Sequence, residues 1–120
     1  MTAAVTAPGR LWIMVAGPYA SGGASPQQRA ENLRALNRAA LAVLDAGHLP
    51  LVGVNMALPL VEAAGGRYDE IMLPVSLALI ERCDACLRVG GASDGADAEV
   101  ARFRAAGKPV LANLAELPPG

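Results

Sequence analysis

Residues 11–16, Leu-Trp-Ile-Met-Val-Ala, form an unbroken apolar run with no polar residue at alternate positions. A strand of that composition has no face for water and must be covered on both sides, as strands inside a parallel sheet are. Strand-length segments follow at 48–52, 84–89 and 110–112, and stretches with helical signals lie between them.

The helical signals are local and physical. Ser25 is a side-chain N-cap with Pro26 at the first helical position, where its missing N–H costs nothing. Leu33, Leu36, Ala40 and Leu44 then recur at spacings of three and four, and Gly47 reads as a left-handed cap. Residues 55–64 read as a helix bent around Pro59 and ended by Gly65-Gly66, or residues 55–61 contribute a strand. Residues 68–82 read as a helix that carries Pro74 near its start or at a kink, and 96–106 as the last helix. The tail 117–120 is expected to be loose. Strands alternating with helices predict an α/β fold, a three-layer flavodoxin- or Rossmann-like sandwich with a mainly parallel sheet of four to five strands.

The chain of 120 residues is expected to be one domain, 1–120, with enough length for a core. With 53% hydrophobic, 18% charged and only 3% aromatic residues, that core must be built from Ala, Leu and Val. A net charge of −1 offers no electrostatic reason to expect nucleic acid or an anionic membrane as partner. Apolar runs are interrupted well before the ~18–20 residues of a membrane span. Residues 1–10 lack a basic segment followed by an apolar one, so no secretion signal and a cytoplasmic location are expected.

Cys83 and Cys86 have the spacing of a redox or metal pair. A redox pair belongs after a strand at a helix N-terminus, whereas this one joins a helix end to a strand start. Zinc would need two more ligands, and His48, read as a turn residue, is the only histidine. The pair reads as two small core residues, and no metal or other cofactor is expected.

In open α/β sheets, ligands bind beyond the carboxyl ends of strands where chain order reverses. Two glycine-rich segments fall at such ends, 17–24 and 90–95, and face each other if their strands are neighbours. Neither carries the dinucleotide fingerprint, and no phosphate-loop sequence is present. The second segment, Gly90-Gly91-Ala92-Ser93-Asp94-Gly95, opens a helix whose N–H groups favour an anion, yet Glu99 sits in that helix's first turns. Glu99 either serves the helix dipole or has chemical work to do. Ser93 is an N-cap, a ligand contact or both. Arg88 has three options: pairing with Glu99 or Asp97, reaching a phosphate, or lying exposed on an edge strand. Asp84 reads as a local hydrogen-bonding residue. Asn55, just past the second strand, is at the ligand edge.

Ala16-Gly17-Pro18-Tyr19, the run from Cys83 to Val89, Gly91 to Glu99 and Gly107-Lys108-Pro109-Val110 together resemble the nucleoside 2-deoxyribosyltransferase superfamily. That group includes 2′-deoxynucleoside 5′-phosphate N-hydrolases. The resemblance implies cleavage of an N-glycosidic bond in a nucleoside or nucleotide, with Glu99 as nucleophile or oxocarbenium stabiliser. It implies substrate binding by Gly17 and by Ser93, which matches a phosphate-binding serine. Pro18, Gly91 and Gly95 of the same two loops are taken as substrate-binding with them, and Asn55 and Tyr19 are expected near the base from their positions. An aspartate that assists the leaving base in the hydrolases is matched by Ser76, and a tyrosine by Met14. Asp69 or Glu70, one or two turns earlier, could supply the acid, with Tyr19 as a further catalytic candidate. A homodimer or larger assembly is also implied, in keeping with the apolar surface of residues 68–80. The alternative is a nucleotide-binding or sensing module without turnover.

Overall fold

The apolar run becomes strand β1 (Trp12–Ala16) of a computed structural model that describes residues 9–119. After it come α1 (Pro26–Asp45), β2 (Leu49–Leu51), α2 (Gly53–Ala63), α3 (Tyr68–Ile80), β3 (Ala85–Arg88), α4 (Asp94–Ala105) and β4 (Val110–Leu111). A 3-10 turn, Leu114–Glu116, closes the described chain. The four strands form one all-parallel sheet in the order β2-β1-β3-β4. Ile13 pairs with Pro50 on one side of β1 and with Ala85 on the other, and Cys86 pairs with Val110.

Alternate residues along β1 and β3 supply the two cores, as a strand buried on both faces requires. Ile13, Val15, Ala85 and Leu87 pack with Leu36 and Val43 of α1. Met14, Ala16 and Cys86 pack on the other face with Ile80 of α3 and Ala96, Val100 and Phe103 of α4. The result is a three-layer, Rossmann-like sandwich. Phe103, the chain's one phenylalanine, is fully buried, and truncating it would cost about 3–5 kcal/mol.

Several expectations are corrected. Residues 55–61 lie within α2 and form no strand. Ala57 is buried with Val54, Leu58 and Val61 half-buried around it, a helical spacing that covers one side of the segment, while Pro59 is exposed. On α1 the buried line runs through Leu36 and Val43, seven residues apart. Leu44 turns roughly 80° away from that line and stands half-exposed. Helix α4 starts at Asp94, so Gly95 belongs to its first turn and not to the loop.

The tail, expected to be loose, is fastened at Leu117 and Pro118. Gly47, with φ 96°, ends α1 in a left-handed cap, as expected, and the His48 N–H returns to the Val43 carbonyl at 3.2 Å. That cap delivers the His48 ring into the interior, 1% exposed. Its Nδ1 accepts from the Leu11 N–H at 3.1 Å, which leaves the proton on Nε2, 2.6 Å from the Pro118 carbonyl. Leu117 packs on the α1-side core beside it. Asp84 bonds across the sheet and not locally: its N–H donates to the Trp12 carbonyl and its Oδ2 accepts from the Trp12 N–H, both at 2.8 Å.

Candidate functional site

Chain order reverses between β1 and β3, and a cavity of about 360 Å³ opens beyond their carboxyl ends. Its size falls in the ~300–1,000 Å³ range of small-molecule sites. Two loops meet there because neither has room for a side chain at the junction. A β-carbon on Gly17 would stand 2.7 Å from the Val89 carbonyl oxygen and 2.9 Å from Leu36 Cδ2. Gly90 has φ +77°, and a β-carbon there would lie 2.8 Å from Pro18 Cδ. The Val89 N–H also bonds the Ala16 carbonyl at 2.9 Å, extending the β1–β3 pairing into the loops.

The first loop is tied down along its length. Asn32 Nδ2 donates to the Tyr19 carbonyl at 2.8 Å, and Arg29 Nε to the Ala24 carbonyl at 3.1 Å. Ser21 Oγ donates to Ser93 Oγ at 2.8 Å, so the loop is joined to the start of α4. Ser93 is buried and its hydroxyl accepts from the Ala96 N–H at 3.1 Å, the N-cap bond expected of it.

Glu99, in the second turn of α4, lines the cavity and is only 9% exposed. Burial pushes its carboxyl up to about 7, against the opposing pull of a hydrogen bond from Ser76 and the charge of Arg88. Ser76, on α3, is 4% exposed. A β-carbon on Gly53, the first residue of α2, would overlap Ser76 Oγ and lie 3.6 Å from Glu99 Oε2. No side chain caps the N-terminus of α2.

Of the residues singled out in the sequence, Gly17, Tyr19, Asp69, Ser93, Gly95 and Glu99 all line this cavity. Three others do not. Pro18 packs against Gly90, and the Gly91 carbonyl accepts from Arg88 Nη2 at 2.8 Å. Asn55 is exposed on α2 and donates to Asn37 Oδ1 at 2.6 Å. Helix α2 begins before Asn55, and its turn sets Val54 in the cavity wall and Asn55 on the exposed side. Asp69 reaches the cavity, whereas Glu70 pairs with Arg67 at 2.8 Å. Arg88 is committed to the Val89 and Gly91 carbonyls and lies 3.5 Å from Asp97 Oδ1.

Ser76, Tyr68, Met72, Leu73 and Ser21 also line the cavity and were not counted as binding residues. Tyr68, Asp69, Met72, Leu73 and Ser76 recur along α3 at helical spacing, a stripe that periodicity could have revealed. Burial raises the Tyr68 phenol, and Tyr19 beside it adds to the effect. Among the described residues, no group of three or more His, Cys, Asp or Glu side chains could hold a metal ion. No helix among them is long and apolar enough to cross a membrane.

Fold and site together define a doubly wound α/β domain whose switch-point cavity contains one buried carboxylate. No protein-family model matches the chain, and no curated protein matches it.

Proposed function

We propose that the protein cleaves the N-glycosidic bond of a nucleoside or nucleotide, by hydrolysis or by transfer of the sugar to a second base. The observation that carries this reading is Glu99: a carboxylate, itself buried, that lines the cavity at the switch point and is bonded by Ser76. Breaking the bond leaves positive charge on the anomeric carbon, and a desolvated carboxylate stabilises that charge far better than water does. In the covalent route a Glu99 oxygen forms an ester bond to C1′ as the C1′–N bond breaks. The bonding pair leaves on the base nitrogen, which takes a proton from Asp69 or from water. Water, or a second base, then attacks C1′ and frees Glu99, losing a proton to the same group.

Release of free base from a panel of nucleosides and 5′-nucleotides tests this, with Glu99→Ala run in parallel. Base release by the wild type that falls by ~10³-fold or more in the variant is expected. A group that must be ionised and has its pKa near 7 puts the acid limb of the rate near pH 7, with activity rising through it. Absence of base release across the panel removes the catalytic reading.

One observation favours a second reading, a binding or sensing module. Ser76 stands where an acid for the leaving base is expected, and its hydroxyl is spent on Glu99. Tight binding with no base release would select it. Either reading suits a cytoplasmic protein working as a homodimer. Leu41 and Leu44 of α1 and Met56 and Leu60 of α2 are half-exposed, and the Asn37–Asn55 bond joins these two helices. Gel filtration with light scattering tests the assembly.

A further inference from the structure

The side chains that line the cavity carry charge of one sign. Asp69, Asp94 and Glu99 contribute carboxylates, and no Lys or Arg is among the lining residues. Two arginines whose charge reaches the lining are held outside it: Arg88, felt by Glu99, on two carbonyls and near Asp97, and Arg29, felt by Tyr68, through its Nε on the Ala24 carbonyl. Residues 1–8 contain no Lys or Arg either. Helix α4 points its N-terminus at the cavity, but Asp94 and Asp97 in its first turn already answer its dipole. Its Ala96 N–H is taken by Ser93 Oγ, and Ser93 and Ser21 are bonded to each other. What remains for a ligand is a pair of hydroxyls and the first N–H groups of the helix, which suit a sugar hydroxyl. A phosphate dianion there would face like charges, with no lysine or arginine side chain among the lining residues to offset them.

We infer that the cavity takes an uncharged nucleoside and discriminates against its 5′-phosphate. The inference rests on the N-glycosidic reading for the identity of the ligand, and on the charge of the lining for the preference. It gives Ser93 a different role from the phosphate contact that the sequence resemblance implies. Ser93 holds the first loop to α4 through Ser21 and offers its hydroxyl to the sugar. The acidic lining also suits the reaction at the anomeric carbon, which becomes more positive as the bond breaks.

A purine and a pyrimidine 2′-deoxynucleoside, each with its 5′-monophosphate, are compared at about pH 8 by base release and by calorimetric binding to Glu99→Gln. The expected result is a preference of about tenfold or more for the nucleoside, narrowing as salt is raised. Asp94→Lys should narrow it further by admitting the phosphate. Preference for the nucleoside in binding without base release supports the inference and removes catalysis. Base release as fast or faster from the monophosphate overturns the inference and leaves the N-glycosidic reading standing. Failure of all four compounds to bind overturns both.

Discussion

The Ser76 hydroxyl occupies the space that a β-carbon on Gly53 would need, with the Glu99 carboxylate 3.6 Å from the same point. Three helices therefore converge on one carboxylate: α4 carries it, α3 supplies the hydroxyl that bonds it, and α2 begins at a residue small enough to let both approach. Without this closeness Glu99 would be wetter and its carboxyl nearer the ordinary range.

Gly53→Ala tests the convergence directly. In an exposed helix the change would stabilise by up to ~1 kcal/mol. Here the added methyl must displace Ser76, whose β-carbon would also stand 3.0 Å away. Net destabilisation of about 1–3 kcal/mol in chemical denaturation is expected. Gly53→Ala with Ser76→Gly should recover most of it, so the two changes are strongly non-additive. Additive losses would show that the two positions are not in contact.

Glu99 should weaken the fold as it ionises. Its folded-state carboxyl titrates near 7, above its unfolded value of about 4.5. The folded state thus holds the proton more tightly, and stability falls as pH rises from about 4.5 through 7. Glu99→Gln removes the ionisation and keeps the shape. The variant should gain on the order of 2–3 kcal/mol relative to wild type above pH 7, and the gain should vanish below the unfolded value. Thermal melts across this range measure it; a gap that does not change with pH would contradict the burial argument.

The two cysteines should be inert. Burial pushes the Cys83 thiol up to about 11 and the Cys86 thiol up to about 12, and both lie in the core against α3 and α4. The thiolate that reacts with disulfide reagents is almost absent at neutral pH. Titration with Ellman's reagent should detect neither thiol rapidly in the native protein and both of the chain's cysteines after unfolding in guanidinium. Fast native labelling would place the pair at an accessible position.

What could be read in advance followed from local physics. The run 11–16 has no polar face, so β1 had to be covered on both faces, and helices pack against each. Ser25-Pro26 and Gly47 mark α1 because caps act over a few residues. The crevice between the loops after β1 and β3 followed from topology alone. Asn55 was misplaced because α2 starts two residues before it, at an N-terminus with no side-chain cap to announce it. Ser76 looked like a missing acid, since its partner Glu99 is on another helix and no spacing along the chain relates them. Gly53 gave no signal either; its smallness is required by atoms more than twenty residues away.

His48 was read as a turn residue, yet its ring bonds two distant parts of the chain, and the same logic predicts what its removal does. The Leu11 N–H and the Pro118 carbonyl have this ring between them. His48→Ala leaves both without that partner and opens a hole where the side chain is 1% exposed. The cavity and the loss of two part-buried hydrogen bonds together make the expected loss about 2–4 kcal/mol. The loss should come with a local signature. Hydrogen exchange at the Leu11 amide should accelerate and residues 117–119 should become protease-sensitive, while the chemistry proposed for Glu99 at the other end of the sheet should be unaffected below the new melting temperature. If Leu11 exchange is unchanged, the bond to Nδ1 does not hold the start of β1, and if residues 117–119 stay protected, the tail is kept in place by Leu117 packing and not by the bond to Nε2.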